Sequence, residues 1–210
     1  MSAPARPVVL AIAAAGLAAA ALWLAGLASD DAVRREATRA RLAVVTEVLA
    51  GVTYTNVPTQ DTIVVRDAER LGGDAPRRVF RAFDNAAPAA VALQTVAPGG
   101  YSGPIHLLVG IRADGTLSGV RITAHRETRG LGDRIERARS DWVLSFDGRH
   151  LGSPPEARWG VRRDGGDFDQ FTGATVTPRA VVEAVRNALV YFEASRDTLF
   201  AEDATRAHPE

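Results

Sequence analysis

Apolar and polar positions divide this chain into stretches of different period. From Pro7 to Ser29 no charged residue occurs, and VVLAIAAAGLAAAALWLAGLA is apolar throughout. About 22 residues at about 1.5 Å each reach about 33 Å, which matches a bilayer core of roughly 30 Å. Gly26-Leu27-Ala28 would suit signal-peptide cleavage, but a signal core is only about 7–15 residues long. The length therefore predicts an uncleaved membrane anchor over residues 7–29. From 30 to 51 the period becomes helical: Val33, Ala37, Ala40, Val44 and Val48 share one face, arginines lie opposite, and Gly51 is a stop. This predicts a stalk helix that packs on the following domain or on a neighbouring membrane protein.

After Gly51 the period shortens to that of strands. TIVVR (62–66), RVFRAFD (78–84), AAVALQTV (89–96), PIHLLVGIR (104–112) and LSGVRITA (117–124) are short runs rich in β-formers, separated by Gly, Pro and Asp clusters. Ala113-Asp114-Gly115-Thr116 reads as a hairpin turn, because Asp-Gly supplies the positive φ that such turns require. A helix is expected to start at Ser140-Asp141 and run through Trp142, Val143 and Phe146. A last helix is expected with Thr177 as N-cap, Pro178 in its first turn, and Val181, Val182, Val185, Leu189 and Phe192 as its apolar stripe. The predicted organisation is an anchor (7–29), a stalk (30–51), one α+β domain with an antiparallel sheet (52–195) and a flexible tail (196–210).

Composition narrows the chemistry. The chain has no cysteine, so disulfides, thiolate metal sites and cysteine nucleophiles are excluded. All 25 basic residues are arginine, which excludes a lysine Schiff base and a P-loop lysine. They balance 25 acidic residues, so no global charge favours nucleic acid. His106, His125, His150 and His208 are scattered singly, and no metal site is expected. What remains is chemistry by carboxylates, hydroxyls, arginines or a bound organic cofactor.

The stretch most open to such a cofactor is Gly165-Gly166-Asp167-Phe168-Asp169-Gln170-Phe171-Thr172-Gly173-Ala174-Thr175-Val176-Thr177, just before the last helix. Unsatisfied N–H groups and the positive end of the helix dipole converge there, and Gly173 and Ala174 allow close approach to a ligand. Simple helix capping by Thr and Asp accounts for the same composition. Around it, Trp142 and Trp159 read as core, His125 as a turn or surface histidine, and Asp167 and Asp169 lack an opposing nucleophile that would make them an acid–base pair.

Asp169-Gln170-Phe171-Thr172-Gly173-Ala174-Thr175 resembles the acceptor motif D-x-x-(S/T)-G-A-T of covalently flavinylated FMN-binding domains. Gly100-Tyr101-Ser102-Gly103-Pro104-Ile105, Leu107 to Gly110, Glu127-Thr128-Arg129-Gly130-Leu131-Gly132-Asp133, Ser140-Asp141-Trp142 and the run 164–177 are similar to the G component of the Rnf/Rsx ion-translocating electron transport complexes. An N-terminal single span before the domain also fits the family, so the resemblance covers nearly the whole chain. The resemblance implies FMN joined through its phosphate to Thr175 by a flavin transferase that draws on FAD. It further implies Thr172, Gly173, Ala174, Glu127, Thr128, Gly130, Leu131 and Tyr101 as cofactor neighbours, and Asp169 as part of what the transferase recognises. Arg129 departs from the family, which usually has proline there; the exchange removes a fixed φ and adds a charge.

The implied protein is an electron carrier within a larger complex, without stand-alone turnover. It would work with membrane and iron–sulfur subunits that couple ferredoxin/NAD-type electron transfer, or reduction of a redox-sensing regulator, to ion movement. The family places the domain on the periplasmic side of a bacterial inner membrane. The arginines at 34, 35, 39 and 41 against the single Arg6 point the other way. The span carries no ionisable residue, so the ion path is expected in partner subunits. A flavin-free anchored scaffold, or an FMN domain of another respiratory membrane regulator, are the alternative readings.

Overall fold

Alternation of branched apolar and polar residues, interrupted by turn formers, builds one meander. In a computed structural model, which describes residue 39 and residues 42–201, the strands are β1 (Thr62–Val65), β2 (Arg77–Asp84), β3 (Ala87–Ala97), β4 (Ile105–Arg112) and β5 (Leu117–Ala124). They pair in the order β1-β2-β3-β4-β5, every neighbour antiparallel. The expected anchor, the stalk up to residue 38 and at 40–41, and the tail beyond 201 lie outside the described residues. Among those described, no helix is long and apolar enough to cross a membrane.

The two-residue period of β3 gives the sheet two apolar faces. Val91, Leu93 and Ala97 enter the main core with Leu107, Val109 and Ile111 of β4. Ala90 and Ala92 enter a smaller core on the opposite side with Phe80, Ala82 and Leu108. Residues 42–48 form helix α1, whose Val45 and Val48 cover that smaller core together with Leu49 of the following turn. Gly110 and Gly119 pair across β4 and β5, and both face the main chain of Val48: a Cβ at Gly110 would stand 2.1 Å from the Val48 carbonyl oxygen, and one at Gly119 would stand 3.2 Å from it. Ser118 Oγ, donating to the Val48 carbonyl at 2.5 Å, fixes the same spot.

The main core is closed by α2 (Val176–Phe200), whose Val181, Val182, Val185, Leu189 and Phe192 are all buried. Two boundaries differ from the sequence-based expectation. Thr175 occupies the N-cap position, and Thr177, expected there, lies inside the helix with a fully buried side chain. At the other end α2 runs to Phe200, into the stretch 196–210 expected as a flexible tail. Leu199 is buried, and Phe200 meets Phe83 and Phe192 edge-on at 5.8 and 6.3 Å. These contacts extend the helix, since packing rather than propensity sets most helix ends.

Between β5 and α2 the chain is irregular. The helix expected from Ser140 is a single 3₁₀ stretch, Trp142–Phe146. Ser140 Oγ accepts from the Trp142 N–H at 3.2 Å and donates to the Arg134 carbonyl at 2.6 Å. Tertiary packing holds the segment instead: Phe168 stacks on Phe146 at 4.7 Å and leans on Trp159 at 5.4 Å, while Trp142 meets Phe146 and Phe171 edge-on.

Candidate functional site

Three irregular segments converge beside the start of α2: the β3–β4 connection, the loop after β5, and the turn 171–174. Between them lies a cleft of about 220 Å³. Tyr101 comes from the first segment, Glu127, Thr128, Leu131 and Gly132 from the second, and Gly173 and Ala174 from the third, with Thr175, Val176 and Thr177 continuing into the helix.

Each segment is shaped by local chemistry. The Ala174 N–H donates to the Phe171 carbonyl at 3.0 Å, and Gly173 takes φ +82°, so 171–174 is a tight turn of the kind that favours glycine at its third position. Arg134 lies over the Phe171 ring at 5.0 Å, and Trp142 Nε1 donates to the Asp169 carbonyl at 2.7 Å. The loop after β5 gathers three N–H groups, those of Leu131, Gly132 and Asp133, on the Thr128 carbonyl. Gly130, at φ +77°, donates its N–H to Asp133 Oδ1 at 2.8 Å. These bonds brace the loop around Arg129, where no proline fixes φ. Arg129 itself lines a neighbouring cleft of about 440 Å³ with His125, Glu136 and Arg139, not this one.

Thr175 stands half-buried on the cleft wall, and its side chain makes no capping hydrogen bond. The first N–H groups of α2 have no acceptor within the helix, and Pro178 lacks one altogether. Arg179 anchors this first turn from outside through two hydrogen bonds to Asp164, at 2.7 and 3.0 Å. The Arg179 guanidinium holds the Asp164 carboxyl below the usual carboxylate range.

Of the expected cofactor neighbours, Tyr101, Glu127, Thr128, Leu131, Gly173, Ala174 and Thr175 share the cleft. Thr172, exposed on the turn, and Gly130 do not line it. Asp169 is exposed and ion-paired with Arg162 at 3.0 Å. Trp142 and Trp159 are buried in the core. His125 is engaged on both nitrogens, Nε2 with Glu136 Oε1 at 2.7 Å and Nδ1 accepting from the Glu127 N–H at 2.9 Å. Gly132, Val176 and Thr177 also line the cleft, and sequence reading missed them. In sequence Thr177 has the look of a cap. Its buried hydroxyl donates to Glu127 Oε2, a contact across 50 positions for which one sequence carries no signal.

The cleft has an apolar lip. Tyr101 is 73%, Leu131 42% and Val176 40% exposed, which makes them three of the few large hydrophobic side chains among the described residues left open to solvent.

Comparison with known proteins places these segments within one family. Residues 100–190 match the FMN-binding domain, a range that runs from the Tyr101 loop into α2. The G component of the ion-translocating oxidoreductase complex of Pseudomonas aeruginosa is 52% identical over 162 residues, covering 77% of this chain and 76% of that protein. Its counterpart from Vibrio atlanticus is 39% identical over 194 residues, covering 92% and 90%. Among solved structures, the C component of the Na⁺-translocating NADH-quinone reductase of Parabacteroides distasonis aligns at 18% identity with a TM-score of 0.46, over 75% of this chain and 91% of that one. With half of the aligned positions identical over three quarters of its length, the chain belongs to the family of G components of the ion-translocating oxidoreductase complexes and carries its FMN-binding domain.

Proposed function

We propose that this protein carries FMN as a phosphoester on Thr175 and relays electrons inside a membrane-bound complex that couples redox chemistry to ion movement. The observation that supports this attachment is the state of the three candidate hydroxyls. Thr172 is exposed outside the cleft, and Thr177 is buried and donates to Glu127. Of the three, Thr175 alone is half-buried on the cleft wall, and its side chain makes no capping hydrogen bond. Its surroundings fit a flavin phosphate: N–H groups of the helix start, the positive end of the dipole, and Gly173, where an added Cβ would approach a Leu131 methyl at 3.6 Å. The apolar lip of Tyr101, Leu131 and Val176 fits a flat ring system.

In attachment, the Thr175 oxygen attacks the FMN phosphorus of FAD. The new P–O bond forms as the pyrophosphate bond breaks, AMP leaves, and the hydroxyl proton is lost. A flavin transferase performs this step, with Asp169 on the exposed face that it reads. The bound flavin then supplies the electron chemistry, while the chain supplies position and potential. Electrons pass to and from membrane and iron–sulfur subunits in ferredoxin/NAD-type transfer or in reduction of a redox-sensing regulator. The protein is single-pass in a bacterial inner membrane with the domain on the periplasmic side. Cytoplasmic activity of a one-sided reporter fused after residue 210 would overturn that orientation.

The test of attachment is the full chain co-expressed with the transferase. The unaltered protein should give a fluorescent band in a denaturing gel, and peptide mass spectrometry should place the added mass on Thr175. Thr175→Ala should stay folded and lose the label entirely; Thr172→Ala should keep it. A labelled Thr175→Ala, or mass on Thr177, would refute the assignment, and a colourless wild-type band would favour a flavin-free scaffold.

A further inference from the structure

We propose that Glu127 is the positioning residue of the acceptor threonine: through the Thr177 hydroxyl it fixes the first turn of α2, and with it the direction in which Thr175 points. The inference rests on Thr175 being the flavin acceptor. Glu127 is the one carboxylate lining the cleft among the described residues, and it is only 6% exposed. A buried carboxylate is costly unless each oxygen is satisfied. Here Oε1 accepts the Ser102 N–H at 2.9 Å and Oε2 accepts the Thr177 hydroxyl.

The room around it is made by glycines. A Cβ at Gly100 would stand 3.0 Å from Oε1, and one at Gly132 would stand 2.8 Å from the Glu127 Cβ and 3.0 Å from Oε2. The carboxylate thus ties together the β3–β4 connection, the loop after β5 and the helix start. The Glu127 main chain is held from behind, its N–H on His125 Nδ1 and His125 in turn on Glu136. No side-chain cap steadies this end of α2. The hydroxyl two residues beyond the acceptor does that work on the cleft side, so losing it leaves the turn that carries Thr175 held from outside by the Arg179–Asp164 pair and loosened toward the cleft. Misplacing a reacting atom by about 1 Å can lower a rate by about 10²-fold.

The experiment measures transfer of FMN from FAD to the full-length chain by a purified flavin transferase, read as added mass on Thr175. Hydrogen exchange of the unlabelled protein is followed in parallel. Thr177→Val should slow labelling at least tenfold at saturating FAD and leave the KM for FAD unchanged. Exchange at the start of α2 should rise while β3 and β4 keep their protection. Thr177→Ser should restore the rate to within about threefold. Glu127→Ala should resemble Thr177→Val. Glu127→Gln should retain most of the rate, because the amide can accept from Ser102 and donate to the Thr177 oxygen. The double variant Glu127→Ala/Thr177→Val should be no slower than either single one, as expected of partners in one interaction. Where Glu127→Ala does not fold, the Thr177→Val and Thr177→Ser pair decides. Normal labelling of Thr177→Val overturns the inference, and so does a Glu127→Gln variant as slow as Thr177→Val, which would make the charge itself the requirement. Failure of the underlying reading looks different: no mass would appear on Thr175 of the unaltered chain.

Discussion

The five-stranded sheet and the segment from 125 to 175 are held by opposite means. In the sheet every strand pairs with its neighbour in sequence, and the β2–β3 and β4–β5 turns are made by residues a few positions apart. In the 125–175 segment regular structure is reduced to single 3₁₀ turns, and the chain is fixed by partners distant in sequence. Trp142 Nε1 reaches the Asp169 carbonyl, Arg158 pairs with Asp167, and Thr177 closes on Glu127. The cleft lies where that segment meets the sheet and α2. The sheet holds the connection that carries Tyr101, and the irregular segment provides shape, because a loop can present glycines, hydroxyls and N–H groups that a ladder would consume.

The comparison breaks most visibly at Phe168, the aromatic that stacks on Phe146 and contacts Trp159. Phe168 is fully buried, and its truncation to alanine should cost about 3–5 kcal/mol in denaturant unfolding. Hydrogen exchange should place the damage unevenly. Amides in 142–171 should lose protection first, while those of β3 and β4 keep theirs. Uniform loss across the sheet would mean that the two regions are one cooperative unit.

This division also decides what was legible in the sequence. The five strands were readable to within one or two residues, because alternation and Gly/Asp/Pro punctuation are local signals. The turn at Asp114-Gly115 was readable too: Gly115 has φ +89° and Thr116 donates its N–H to Asp114. The stripe of α2 was readable from its period. Its ends were not, since Thr177 is withdrawn from capping by Glu127, and Phe200 is drawn on by Phe83 and Phe192. Resemblance pointed to Tyr101, Glu127, Leu131 and Thr175, which the fold does gather in one cleft. It gave no hint that the Glu127 carboxylate bonds to Ser102 and Thr177. Thr172 and Gly130 adjoin the cofactor motifs in sequence yet stand off the cleft, the first turned to solvent by the tight turn at Gly173.

One turn of the sheet breaks its own local rule, and correcting it should sharpen the contrast. The β2–β3 hairpin is closed by Asn85 and Ala86, both with positive φ, at 47° and 70°. Asparagine tolerates that region, but alanine pays roughly 1–2 kcal/mol for it. Ala86→Gly should therefore raise stability by about 0.5–1 kcal/mol, the relief being reduced by the greater freedom of glycine in the unfolded chain. The gain should appear as a higher denaturation midpoint with an unchanged slope. A neutral or destabilising result would show that the strain is absorbed elsewhere in the hairpin.

The smallest effect separates the two kinds of bonding most cleanly, because it compares two carboxylates that are both held below their usual range. Asp67, in the connection after β1, owes its lowering first to the Arg70 N–H, which donates to Oδ1 at 2.8 Å. Asp164 owes its own to the side chain of Arg179, fifteen residues away. Both pairs have the same sign: a depressed carboxyl stabilises the fold above its unfolded value, and that contribution is lost as the pH falls through the folded value. Salt should tell them apart. A backbone hydrogen bond is insensitive to ionic strength, whereas an exposed guanidinium–carboxylate pair is screened, with a Debye length of about 3 Å at 1 M salt. Raising NaCl from about 0.1 to about 1 M should move the Asp164 carboxyl back toward its ordinary value and move Asp67 less, since there only the lesser contribution of the Arg70 guanidinium, 2.9 Å away, is screened. The measurement is carboxyl carbon NMR of the two residues across acid pH at each salt concentration. Equal salt responses at the two sites would mean that Asp67 is held by the Arg70 charge rather than by its main chain, and the local-versus-distant contrast would fail at its simplest point.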